Sequence, residues 1–238
     1  MFLLIFLLPL AAMVQPSLGE DSVGNDLPKK DQEEILNLIN DIRRKVEPTA
    51  RNMLKMTWSD NAAESAKKWA GKCKEKASPV LERIVGATFC GEARLQANYL
   101  APWSEVIETW HRKKSNFKYG VGAIDPKKDI YGYTQLIWYN SKEIGCSVAH
   151  CPESSFAFFY VCRYCPAGNI LEIIEKPYKE GPPCGDCPND CEDKLCTNAC
   201  YLKDKRKDCR SLLNLFACDQ PWVSKECQAT CGCSNKIL

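Results

Sequence analysis

Histidine is nearly missing from this chain: its 238 residues include only His111 and His150. A zinc centre takes three or four N, S or O ligands, and imidazole is its usual nitrogen donor. A histidine-built metal site therefore has almost no material here, and both histidines read as ordinary surface residues. No Gly-x-Ser-x-Gly turn offers a serine nucleophile. No Asn-x-Ser/Thr has a permitted middle residue, so N-glycosylation is not expected. Neither sign of charge dominates, with 32 Lys and Arg against 30 Asp and Glu. A nucleic-acid binder needs a basic face, so nucleic acid is not an expected partner. Beyond the first residues no apolar run approaches the roughly 20 residues a membrane-spanning helix requires. The end, Ser234–Leu238, is too short for a lipid-anchor signal. Repeats and low-complexity tracts are also lacking.

What the chain does have begins with MFLLIFLLPLAAMVQPSLG, a short apolar run followed by small residues ahead of Glu20 and Asp21. That pattern predicts a signal peptide over 1–19, hence a secreted, extracellular product. Residues 20–30 read as a loose polar tail. Sixteen cysteines follow, six before residue 184 and ten from Cys184 to Cys233. An even number in an oxidising compartment implies a disulfide framework and leaves no thiolate for covalent catalysis. The first part is long enough for a hydrophobic core, whereas the last ~55 residues are of a size that needs staples. The change in cysteine density alone divides the chain in two.

Apolar residues at helical spacing predict a helix from Asp31, as cap, to Val46. Asn52–Trp58 reads as an extended connection, and Ser59-Asp60 starts a second helix carrying Ala62, Ala66, Trp69, Ala70 and Cys73. Gly86–Ala93 is a turn-rich loop feeding a strand. Ser104 caps a third helix with Val106, Ile107 and Trp110, which ends before Asn116. Three apolar runs, Tyr133–Tyr139, Ile144–Ala149 and Phe156–Tyr164, predict a three-stranded antiparallel meander covered on both faces. Helices preceding a small sheet make an α+β layered sandwich. Ile170–Pro183, rich in Pro and Gly, predicts a stiff, extended linker.

Within the meander, Tyr133-Thr-Gln-Leu-Ile-Trp138 and Tyr160-Val-Cys-Arg-Tyr-Cys-Pro-Ala-Gly-Asn169 resemble the two signature segments of the CAP superfamily. Together with the cysteines from Cys184 onward, they identify the chain as resembling the cysteine-rich secretory proteins. The resemblance implies a CAP α-β-α sandwich over 31–169, the linker over 170–183, a disulfide hinge over 184–199 and a channel-toxin-like cysteine-rich domain over 200–238. The last six cysteines resemble sea-anemone potassium-channel toxins, ending in Cys227-Gln-Ala-Thr-Cys231-Gly-Cys233. Six cysteines alone allow 15 pairings. The resemblance implies Cys73–Cys151, Cys90–Cys165 and Cys146–Cys162, then Cys184–Cys191 and Cys187–Cys196, then Cys200–Cys233, Cys209–Cys227 and Cys218–Cys231.

Metal-binding CAP domains hold the ion between two histidines and two acidic residues. Those places fall on Ala77, Glu92, Lys113 and Gly132, so only Glu92 keeps its type. Lys113 near Glu92 would put positive charge where a cation should sit. The expectation is no metal, no cofactor and no enzymatic activity, with Glu92 a structural carboxylate paired to Lys113. Two histidines meeting in space remain a distant metalloenzyme reading.

The tail supplies the interaction candidates. Lys203, Lys205, Arg206, Lys207 and Arg210 cluster between Cys200 and Cys218, with Leu213, Phe216, Trp222 and Lys225 beyond. A basic patch beside aromatic residues suits an anionic channel vestibule or another membrane-protein ectodomain. The blander reading makes Leu212, Leu215 and Phe216 the tail's minimal core and the charges a solvated face. Anemone toxins place a Lys-aromatic pair where this chain has Pro221-Trp222, so the lysine for pore plugging is missing. The resemblance implies a monomer that regulates calcium or potassium channels. The settings are sperm in the male reproductive tract, favoured by Leu27–Ile35 and Cys191–Cys196, or venom and saliva. A gamete-surface adhesion module and a lipid- or sterol-carrying CAP domain are the alternatives.

Overall fold

The structure, a computed structural model, describes residues 26–237. The expected signal peptide and most of the N-terminal tail lie outside the described residues. Helix α1 spans Lys29–Arg44, strand β1 Thr57–Trp58 and helix α2 Asp60–Ala70. Strand β2 (Gly91–Ala97), helix α3 (Trp103–His111) and helix α4 (Tyr131–Leu136) follow, then strands β3 (Glu143–His150) and β4 (Phe158–Cys165). The sheet order is β1-β3-β4-β2; β1 runs parallel to β3 and the other neighbours are antiparallel.

Two layers of helix cover this sheet. Along β3, Ile144, Cys146 and Val148 face the cluster containing Ile35, Ile39, Val106, Ile107, Trp110 and Leu136. Ala149 with Phe159 and Val161 of β4 faces Ala66, Trp69 and Ala70 of α2 instead. Period-two side chains thus serve both layers, as an α-β-α sandwich requires. Helix α2 presses close: a Cβ at Gly145 would sit 2.0 Å from the Ala63 backbone nitrogen. Only glycine allows that approach.

Helix boundaries differ from the sequence expectations at their caps. Ser59 caps α2 as expected, its Oγ accepting from the Ala62 amide at 3.3 Å. Helix α1 starts three residues early, with Pro28 at the cap position, and Asp31 sits in its first turn rather than capping it. Helix α3 begins behind Pro102, so Ser104 is already helical. Proline fixes φ near the helical value and removes a donor that would otherwise be orphaned, which makes it an effective helix start.

The larger correction concerns the meander. Its first expected strand, Tyr133–Tyr139, is largely helix α4. Residues Gly132 to Leu136 are all buried, and over so short a run a buried helix cannot be told from a buried strand by periodicity. Strand β1, far back in the chain, pairs with β3 instead.

Arg43 joins the layers from α1. Its side chain is fully buried without a carboxylate, and it donates to the carbonyls of Leu54, Leu136, Trp138, Tyr139 and Ser141 at 2.7–3.1 Å. Burial pushes its guanidinium down to about 9. Even so it remains charged at neutral pH, where five carbonyl dipoles stand in for a counter-ion.

The linker is not a free spacer. It forms a 3₁₀ turn at Leu171–Ile173 and then runs along the sandwich. The Arg51 amide donates to Lys179 O and the Gly181 amide to Thr49 O, both at 2.9 Å. Tyr178 is buried, and its hydroxyl donates to Pro48 O. The hinge continues this seam through a parallel bridge of Leu54 with Cys196 and an Arg51–Asp186 ion pair at 2.6 Å.

Candidate functional site

Eight disulfides staple the chain: Cys73–Cys151, Cys90–Cys165 and Cys146–Cys162 in the sandwich, Cys184–Cys191 and Cys187–Cys196 in the hinge, Cys200–Cys233, Cys209–Cys227 and Cys218–Cys231 in the tail. No cysteine is free. Cys184, Cys187 and Cys196 lie near enough to share an ion, yet each sulfur is committed to a disulfide and offers no thiolate.

Of the four cleft positions, Ala77 is exposed and Glu92 is almost fully buried. The ladder sets Glu92 directly opposite Arg163. One carboxylate oxygen accepts from the Ser78 amide at 3.2 Å and forms an ion pair with Arg94 Nε at 3.0 Å. The other accepts from Ser78 Oγ at 2.6 Å and from Arg163 Nη1. Arg163 is itself buried, which lowers its pKa, while Glu92 opposes the shift. Two arginines and a serine therefore occupy the lone pairs a metal would need.

The expected Glu92–Lys113 pair does not form. Lys113 pairs with Asp129, just before α4. Gly132 lies beneath it: a Cβ there would meet Lys113 Cδ and Trp110 Cβ at 3.2 Å each. The space an imidazole would take is closed by the lysine stem and the tryptophan. His111 is partly exposed on α3, 3.2 Å from Glu108, and His150 stacks on Phe158 at 5.1 Å. This donor set does not fit a divalent metal. Asp129, Arg94 and Arg163 escaped sequence reasoning. Only strand register places Arg163 and only tertiary packing places Asp129. Arg94, two residues after Glu92 on one strand, could have been found from the period-two alternation.

In the tail, helices α5 (Cys209–Leu212), α6 (Pro221–Glu226) and α7 (Gln228–Gly232) wrap a core of Cys209, Val223 and Cys227, with Leu212 and Leu213 partly buried against it. Leu215 is not core: it is 77% exposed. Phe216 and Trp222, also exposed, meet edge to face at 5.1 Å. Together the three form an apolar knuckle held by Cys209–Cys227 and Cys218–Cys231.

The basic cluster is mostly spent inside the molecule. Lys203 donates to Thr88 Oγ1 at 2.7 Å and to Ala87 O, joining the tail to the sandwich. Lys142 does the reverse, donating to Cys200 O and lying 3.6 Å over the Tyr201 ring. Lys205 faces Glu226 at 3.9 Å and Arg206 binds Asp208 at 2.7 Å. Among the described residues, Lys207, Arg210 and Lys225 carry no ion pair. Arg210 lines a polar groove of about 820 Å³ between sandwich, hinge and tail, with Asn52, Tyr139, Lys179 and Lys236.

An α-β-α sandwich fused to a small disulfide-stapled tail defines the class by its architecture: a layered α+β domain followed by a cysteine-rich one. A family model described as the cysteine-rich secretory protein family matches residues 36–164, and the model described as Crisp matches 184–238. The chain belongs to the cysteine-rich secretory protein family of the CAP superfamily. Among solved structures it is similar to Na-ASP-1, at 25% identity and a TM-score of 0.60, covering 73% of this chain and 48% of that one. BmVAL-1 is similar at 25% identity and a TM-score of 0.56, covering 73% and 93%. NaASP2, solved with Zn2+, shares the fold at 23% identity and a TM-score of 0.61, covering 73% and 98%. Among the described residues no helix is long and apolar enough to cross a membrane. That, the family and the eight disulfides fit a secreted protein.

Proposed function

We propose that this protein is a secreted, non-enzymatic docking protein whose cysteine-rich tail binds a membrane-protein ectodomain and regulates a calcium or potassium channel, on sperm in the male reproductive tract. The observation that carries the reading is the Leu215, Phe216 and Trp222 knuckle, in a tail whose Lys207, Arg210 and Lys225 carry no ion pair among the described residues. Exposed aromatic residues on a rigid frame lose little conformational entropy on binding and are common energetic anchors of interfaces. The closed cleft, with Glu92 saturated by Arg94, Arg163 and Ser78, supports a role without turnover.

Patch-clamp recording with the full-length protein tests this. The wild-type protein is expected to change channel currents, and Trp222→Ala to raise the half-effective concentration about tenfold or more. Saturable binding to sperm that survives Trp222→Ala, with currents unchanged, would favour an adhesion module instead.

A further inference from the structure

A second apolar surface lies on the sandwich, away from the tail candidates. Val121, Ile124, Tyr131, Ile170, Leu171 and Ile173 are all exposed large apolar side chains, Leu171 by 67% and Ile124 by 60%. They come from two segments, 117–131 and 169–175, which are bonded to each other. The Gly120 amide donates to Glu175 O at 2.8 Å, and Asn169 Nδ2 donates to Tyr131 O at 3.0 Å. A short hairpin, Phe117–Lys118 with Gly122–Ala123, stiffens the first segment. Asn116 Nδ2 donates to Asp125 O and Lys128 O, pinning the loop beyond it. Six such side chains on braced loops are more than scattered surface leucines and valines would supply.

The charge around this ridge is net basic, although Glu172 and Glu175 stand exposed beside Leu171 and Ile173. Residues 112–131 and 170–176 hold seven Lys and Arg against four Asp and Glu. Two of the acids, Asp125 and Asp129, are already paired to Lys128 and Lys113. Lys114, Lys118, Lys127 and Lys176 remain exposed and without an ion pair among the described residues. Apolar side chains within a lysine rim match the interface of an anionic bilayer, where the former enter the headgroup layer and the latter meet lipid phosphates. A protein partner would more often be met by a patch depleted of lysine.

We propose that this ridge docks the protein reversibly on anionic lipid membranes, with Ile124 and Leu171 as its deepest-inserting side chains. The site is separate from the tail knuckle and does not depend on the channel reading. It holds lipid headgroups at a surface and encloses no lipid within the sandwich.

Vesicle co-sedimentation of the full-length, disulfide-intact protein tests it. The probes are phosphatidylcholine vesicles with and without about 30% phosphatidylserine, at low and physiological salt. Wild-type protein is expected to sediment with the anionic vesicles only, less at higher salt. Ile124→Asp with Leu171→Asp should weaken binding about tenfold or more. Lys118→Glu with Lys127→Glu should weaken it and flatten the salt dependence while leaving the apolar ridge intact. Secretion of each variant with all thiols oxidised establishes that it folds. Undiminished binding by the Asp variant, equal binding to neutral vesicles, or none to anionic vesicles would overturn the proposal. So would a dimer in sedimentation velocity that the Asp variant dissolves, which would assign the ridge to a second copy of the chain.

Discussion

Arg43 bears the heaviest structural duty of any single side chain. Removing it leaves the carbonyls of Leu54, Leu136 and Ser141 without that donor, while Trp138 O and Tyr139 O keep the amides of Ser141 and Leu54. Each unsatisfied buried group carries a desolvation cost. Arg43→Leu is expected to destabilise the protein by about 3–5 kcal/mol, read as a lower urea midpoint. Its neighbour Arg44 pairs only with Asp41 and Asp193, both largely exposed. Arg44→Leu should therefore cost no more than about 1 kcal/mol. Equal losses for the two would refute the role assigned to Arg43. Glu92 teaches the complementary lesson. Its place after Cys90-Gly91 is visible in the sequence, and so is Arg94 two residues on along the same strand, but Arg163 on β4 and Ser78 become its partners only once strand register and packing are known.

At the scale of elements, the sheet and the helices around it hold several tyrosines away from water. Burial pushes the hydroxyls of Tyr133 and Tyr160 up to about 12 and raises those of Tyr164 and Tyr178 as well. In the unfolded chain these groups ionise near 10. Their contribution to stability is thus complete below pH ~10 and is lost as pH rises through about 12. Arg43 works in the opposite sense over part of that range, because its lowered pKa lets the unfolded chain bind the extra proton. Four tyrosines outweigh one arginine, so net alkaline unfolding is expected. Tyrosinate absorbance and circular dichroism should change together in that window; early ionisation of these tyrosines in a folded protein would contradict the burial argument. Helix α4 belongs to this scale too. Its run was legible as buried, but not as helix, because five consecutive buried residues, Gly132 to Leu136, leave only Tyr131 exposed and too little contrast to reveal a period.

For the whole molecule, the linker and hinge make sandwich and tail one body rather than two on a string. Strand-like bonds join Thr49 to Gly181, Arg51 to Lys179, and Met53 and Lys55 to Cys196, and Tyr178 is inserted beside Tyr119 at 5.0 Å. Backbone held in such pairing cannot enter a protease without local unfolding. Trypsin should accordingly spare Lys179 under native conditions, although its side chain is exposed; Lys176 precedes Pro177 and is no trypsin site in either state. Native cleavage there, separating sandwich from tail, would show that the seam opens freely.

The sequence by itself determined the class of fold, the cysteine framework's division into six and ten, and the loss of the cleft's histidines. These follow from residue type and local order, which no packing can alter. Only the tertiary structure decided which strand joins β3, that α4 is helical, that Lys203 and Lys205 are consumed internally, and that two apolar surfaces stay uncovered. Those outcomes depend on residues far apart in the chain becoming neighbours, and exposure is a property of the packed whole.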